Sequence, residues 1–130
     1  MGLIVDTNFV ISMEREAKMA GPGRAKAFLE KHSEEQFFMP FTVAGELACG
    51  QSAADKRIWK RLCKPFSLLP WTPDVLWQYG ELFRHLKSNG DLIGTNDLWI
   101  AATALSHDMP LVTNNVGEFR RVPKLRVLEY

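Results

Sequence analysis

Apolar residues fall along this chain in two patterns: short unbroken runs, and stripes at helical spacing. Leu3-Ile4-Val5 is a run and predicts a buried strand, with Asp6 at its C-terminal end. Thr7 and Asn8 are suited to cap a helix beginning near Phe9. Gly21-Pro22-Gly23 breaks the chain, and residues 25–32, carrying Ala27, Phe28 and Leu29, predict the next helix. Gln36–Pro40 reads as a second strand stopped by its proline. Thr42 is expected to cap a helix that carries Val43, Leu47 and Ala48 and ends near Gly50. The stripe Ile58, Trp59, Leu62 predicts a helix over 53–63, starting at Ala53, and residues 66–69 a third strand. Thr72-Pro73-Asp74 starts a helix with proline at the first helical position. That helix runs through Leu76, Tyr79, Leu82, Phe83 and Leu86 and closes at Asn89-Gly90. Thr95 or Asn96 is expected to cap a helix over 98–106. Residues 110–113 are strand-like, and 126–128 form a last strand. Short strands alternating with helices predict an α/β domain around a mostly parallel central sheet flanked by helices.

A length of 130 residues with 46% hydrophobic content suits one globular domain and is too short for two ordinary ones. Charged residues are spread along the chain, which argues against disorder and against a charged tail. The net charge of +1 means that any nucleic-acid binding must come from local patches. Two are present: Lys56, Arg57, Lys60, Arg61 and Lys64 in one stretch, and Arg120-Arg121 in another. For both, a solvated face is the default. The start lacks the pattern of a signal peptide, and no apolar run approaches the length of a membrane span, so a cytoplasmic protein is expected. Cys49 and Cys63 have no metal-ligand spacing and suit ordinary thiols. His32, His85 and His107 are scattered, which argues against zinc.

The chemistry lies in the acids. In open parallel sheets ligands bind beyond the carboxyl ends of strands, and Asp6 occupies such an end. Its bland role is to cap the helix that follows, a job Thr7 or Asn8 could take instead. Glu46 stands alone among uncharged neighbours, one position too late for a capping box with Thr42; by itself, an exposed stripe explains it best. Asp97 falls in a first helical turn, where an acid complements the helix dipole. After the strand-like Leu111-Val112 come Thr113, Asn115 and Glu118, which read singly as a polar loop. Together the acids gain meaning. Clustered carboxylates repel unless a cation or proton is present. A hard divalent ion with oxygen ligands, Mg²⁺ above all, keeps several waters and needs few carboxylates. Such a site can activate water and stabilise charge on a phosphodiester.

These stretches resemble the PIN-domain ribonucleases, and within them the VapC-type toxins of bacterial toxin–antitoxin pairs. The matching segments are Leu3 to Asn8, Pro40 to Leu47, Ile93 to Ala102, Leu111 to Asn115, Glu118-Phe119 and Val122-Pro123. The resemblance implies a single PIN-like nuclease domain over 1–130 that hydrolyses RNA with Mg²⁺, for which Mn²⁺ can substitute. It implies Asp6 and Asp97 as metal-binding acids, and Glu46 as the acid that ligates through water or positions the nucleophilic water. Many relatives carry Asp where Asn115 stands here, which leaves Glu118 as the fourth acid and favours one metal ion over two. Thr113 and Asn115 would orient water or a carboxylate, and Arg120 and Arg121 would meet RNA phosphates. A homodimer is implied, as is a small antitoxin protein forming a toxin–antitoxin hetero-oligomer. Trp59, Trp71 and Trp77 would suit such surfaces, although core positions on amphipathic helices explain them more simply. Two other readings stand beside this one. Asp6 could be the nucleophile of an aspartyl-phosphate phosphatase, but the second acid usual two residues later is Asn8 here. The chain could also be a non-catalytic binding module of the same fold.

Overall fold

A computed structural model describes residues 2–51 and 54–130. Strand β1 (Gly2–Val5) is parallel to both its neighbours, β2 (Gln36–Pro40) and β4 (Leu111–Val112). The outer positions are held by β3 (Ser67–Leu69), beside β2, and β5 (Val127–Leu128), beside β4. The sheet is parallel throughout, in the order β3-β2-β1-β4-β5. Its central strands are buried on both faces, so they read as continuous apolar runs rather than alternating ones. Gly2 is needed for close packing: a Cβ there would lie 2.7 Å from the Phe38 ring and 2.8 Å from the Met109 sulfur.

Helices α1 (Thr7–Ala17) and α2 (Arg24–Lys31) connect β1 to β2; α3 (Phe41–Cys49) and α4 (Lys56–Cys63) connect β2 to β3. The return to β4 uses α5 (Pro73–Ser88) and α6 (Thr95–Ser106), and the short α7 (Val116–Phe119) leads to β5. Helix α6 is apolar almost all round, with Leu98, Ile100, Ala101, Ala102 and Ala104 buried. It packs along α5 and against α3.

Most expected elements appear, with corrections at their ends. Thr42 is not a cap: α3 begins at Phe41, Pro40 holds the N-cap position in extended geometry, and Thr42 is buried inside the helix. Neither Thr95 nor Asn96 caps α6, since Gly94 takes that position without a side-chain bond. Helix α4 is capped by the Asp55 carboxylate, which accepts from the Arg57 amide; Ala53, expected to start it, lies outside the described residues. The loop expected after β4 contains α7. The start and stop of α5 are as expected, with the Thr72 hydroxyl accepting from Val75 N–H and Gly90 at φ +69° after the last turn. Trp59 is part-buried, its indole N–H donating to the Ala44 carbonyl, but Trp71 and Trp77 are exposed rather than in the core. Cys49 and Cys63 are free thiols.

Candidate functional site

From β1 the chain winds outward through β2 to β3, then returns to the other side of β1 for β4 and β5. The loops leaving β1 and β4 therefore diverge, and the crevice between them is the topological switch point of the sheet. Asp6 follows β1 and Thr113 follows β4 at that crevice. The Thr113 hydroxyl donates to Asp6 Oδ2 at 2.5 Å, and both residues are buried.

Asp6 also caps α1, with Oδ1 accepting from Phe9 N–H at 2.9 Å. The capping role expected of Thr7 or Asn8 thus belongs to Asp6, because its extended backbone at the strand end already aims the carboxylate at the first helical amides. The bland and functional roles coexist on one side chain. Burial raises its pKa above the ordinary value of 3.8 and the nearby Glu46 charge adds to this, against the bonds from Thr113 and Phe9.

Glu46 does not sit on an exposed stripe. It is half-buried, and the Thr7 hydroxyl donates to its Oε1 at 2.8 Å. Thr7 is the site residue that sequence reading missed; the available signal was a hydroxyl directly after a strand-end acid. Asp97, in the first turn of α6, is half-buried. Its pKa is pushed up to about 7 by burial, by the charge and hydrogen bond of Glu118, and by the charges of Glu46 and Asp6. Glu118 shifts downward: the Asn115 amide donates to Oε2 at 2.7 Å, Gly94 N–H donates to Oε1 at 3.1 Å, and Asp97 and Arg121 contribute further. In the metal-free pair the first proton goes to Asp97, beside an ionised Glu118, and it is lost as the pH rises through about 7.

The structure thus brings Asp6, Glu46, Asp97 and Glu118 within mutual electrostatic reach, with Thr113 and Asn115 each bonded to one of them. Among the described residues, no three acids, histidines or cysteines close into a metal cage. The acids form an open arc of hard oxygen donors, two of them held above their ordinary pKa. That chemistry fits a small divalent cation that keeps part of its water shell. Asp6 and Asp97 are the residues that could hold it. Arg120 is exposed, whereas Arg121 donates to the Leu92 carbonyl at 3.2 Å. The basic residues of α4 and its C-cap, Lys56, Arg57, Lys60, Arg61 and Lys64, are all exposed, and Arg57 pairs with Asp55 at 2.9 Å.

Comparison with known proteins agrees with this geometry. The family model "PIN domain" matches residues 3–125. The chain is 31% identical over 134 residues to "Ribonuclease VapC1" of Haemophilus influenzae strain R2866, covering 95% of this chain and 93% of that protein. The fold superposes with a TM-score of 0.85 on the crystal structure of VapBC2 from Rickettsia felis bound to a DNA fragment from their promoter, at 24% identity and over 100% and 99% of the two chains. It superposes with a TM-score of 0.74 on VapBC-1 from nontypeable Haemophilus influenzae, at 26% identity and over 99% and 98%. The chain belongs to the PIN-domain family, in its VapC branch.

Proposed function

We propose that this protein is a Mg²⁺-dependent endoribonuclease, the toxin of a toxin–antitoxin pair, acting through a single nuclease domain over residues 1–130. The observation that carries this reading is the convergence of four acids at the switch point, which keeps a proton on Asp97 near neutrality in the absence of a cation. A full-length relative bearing the name ribonuclease supports the reaction class. When bound, Mg²⁺, or Mn²⁺ in its place, neutralises charge on the scissile phosphate and lowers the pKa of water. The chain's own residues do the rest. Asp6, fixed by Phe9 and Thr113, and Asp97, at the start of α6, would hold the cation. Glu46, steadied by Thr7, orients the attacking water and accepts its proton. Asp97 must give up its proton to water before it can hold the cation, whereas Glu118, kept acidic by Asn115 and Gly94, is already ionised. Arg120 supplies a surface cation for an RNA phosphate.

The aspartyl-phosphate alternative fits poorly, because the second acid it needs two residues after Asp6 is Asn8 here. A purely scaffolding role is disfavoured by Glu46, which turns inward to Thr7. A small antitoxin partner, in a toxin–antitoxin hetero-oligomer, is supported by the likeness to a VapBC structure. A homodimer is supported by α5, whose outer side carries Leu76, Trp77 and Phe83, all exposed, around Gly80. A glycine within an exposed helix costs about 1 kcal/mol against alanine, and close approach of a second helix gives it a purpose. No described helix is long and apolar enough to cross a membrane, in keeping with the proposed cytoplasmic setting. Incubation with total RNA, with and without Mg²⁺, tests the reading. Cleavage should require the metal and vanish in Asp6→Asn, with the variant still folded by circular dichroism; full activity in that variant or in excess chelator would sink it.

A further inference from the structure

Arg121 is expected from sequence to meet RNA, but its guanidinium is engaged at the surface by the protein itself: Nη1 donates to the Leu92 carbonyl at 3.2 Å. Leu92 and Gly94 lie in the connection from α5 to α6, directly before the turn that carries Asp97. Gly94 N–H is held by Glu118 Oε1, and Glu118 is braced on its other oxygen by Asn115. Asn115, Glu118 and Arg121 are spaced by three residues, so they stand in one row along α7 and the turn after it. The turn is closed by Arg121 N–H to the Glu118 carbonyl and Val122 N–H to the Phe119 carbonyl, and Phe119 and Val122 are both buried. The row is therefore anchored in the core on one side and clasps the α5–α6 connection at two points on the other. Gly94 is the N-cap position of α6 and has no side chain to fix the first turn, so the clasp supplies what a capping residue would otherwise give.

We propose that Arg121 is a positioning residue, which together with Glu118 latches residues 92–94 and thereby sets the place of Asp97. This rests on the ribonuclease reading for its kinetic consequence, but the latch itself is measurable without RNA. A guanidinium bound to a carbonyl next to the site acts on turnover; one bound to phosphate acts on substrate affinity and its salt dependence.

The experiment compares wild type, Arg121→Ala and Arg121→Gln, the last keeping a donor that can reach a carbonyl while losing the charge. In Arg121→Ala, kcat for RNA should fall about fivefold to tenfold, with KM and its salt dependence within twofold of wild type. Arg121→Gln should recover most of that loss. Hydrogen exchange on the metal-free protein should show faster exchange at the Gly94 and Leu98 amides in Arg121→Ala and near-wild-type exchange in Arg121→Gln. A rise in KM with a weaker salt dependence and unchanged kcat, or unaltered exchange at Gly94, overturns the latch. If wild type cleaves no RNA with Mg²⁺ or Mn²⁺, the ribonuclease reading fails by itself, and the exchange data still decide the latch.

Discussion

Replacing Asp97 with asparagine separates the two roles that an acid in a first helical turn can have, because they predict opposite signs. If Asp97 merely complements the helix dipole, Asp97→Asn should destabilise the protein by about 0.3–1 kcal/mol. The geometry argues the reverse. The carboxyl is raised from 3.8 to about 7 by burial and by Glu118, so ionising it in the metal-free fold is unfavourable. Taken at face value, that rise corresponds to about 4 kcal/mol. The side chain is partly exposed and shares its proton with Glu118, so screening by water reduces the figure to about 1–2 kcal/mol. The folded pKa lies above the unfolded one. This contribution to stability is therefore fully present below about pH 4 and is lost as the pH rises through about 7. Asparagine keeps a donor for Glu118 and has no charge to lose. In chelator at pH 8, Asp97→Asn should melt about 3–6 °C above wild type, for a chain of this length. At pH 5 the gap should largely close, and RNA cleavage should be absent at every pH. Differential scanning calorimetry across pH 5–8 measures this. A variant that melts at or below the wild-type temperature at pH 8 would refute the reasoning and return Asp97 to a dipole role.

Mg²⁺ competes with the proton on Asp97, so it should raise the wild-type melting temperature more at pH 8 than at pH 5.5, and raise that of Asp97→Asn little at either; equal gains at both pH values would count against a carboxylate-held ion. Thr7→Val removes the hydroxyl that steadies Glu46 and should lower kcat about tenfold, while Thr7→Ser stays within twofold of wild type in the same RNA assay. Phe83→Glu, on the exposed side of α5, should convert a dimer to a monomer in light scattering, with cleavage chemistry at the monomer's own acids retained; a wild type that is monomeric at 100 μM, roughly the upper end of working concentrations for a transient pair, would remove the α5 interface.

Apolar runs and helical stripes were enough to read the fold. Leu3-Ile4-Val5 and Thr72-Pro73-Asp74 each carry a local signal strong enough to fix an element without help from elsewhere in the chain. The errors cluster where two local rules compete for one residue. Thr42 has the right side chain for a cap, but Pro40 already sets the extended backbone that a cap needs, so the helix starts before Thr42. Gly94 was passed over for Thr95 and Asn96 because its partner is Glu118, 24 residues away. A second long-range bond of this kind hid from sequence for the same reason: α2 has no side-chain cap from Gly23, and Glu16 on α1 instead accepts from the Ala25 and Lys26 amides. Trp77 was misjudged because a helical stripe does not say which face of α5 meets the core, and Trp71 because it precedes the helix, where it lies over Phe41 and Trp99 at the surface.

The site was legible as a set of acids but not as a mechanism of holding them. Three of the four acids are fixed by a residue distant in sequence or hidden in a motif: Asp6 by Thr113, Glu46 by Thr7, and Glu118 by Gly94 and Asn115. Periodicity cannot report the long-range ones, and the Thr113–Asp6 bond depends on the strand order reversing beside β1. That reversal brings a strand-end acid and a strand-end hydroxyl from opposite ends of the chain to the same crevice. It also explains why Asp6 can cap a helix and serve a reaction centre together. One oxygen satisfies Phe9 N–H locally, while the other faces β4, where only a folded sheet supplies Thr113. The carboxylate is thus oriented by the helix it starts, and the geometry needed for chemistry comes from a contact that the fold requires in any case.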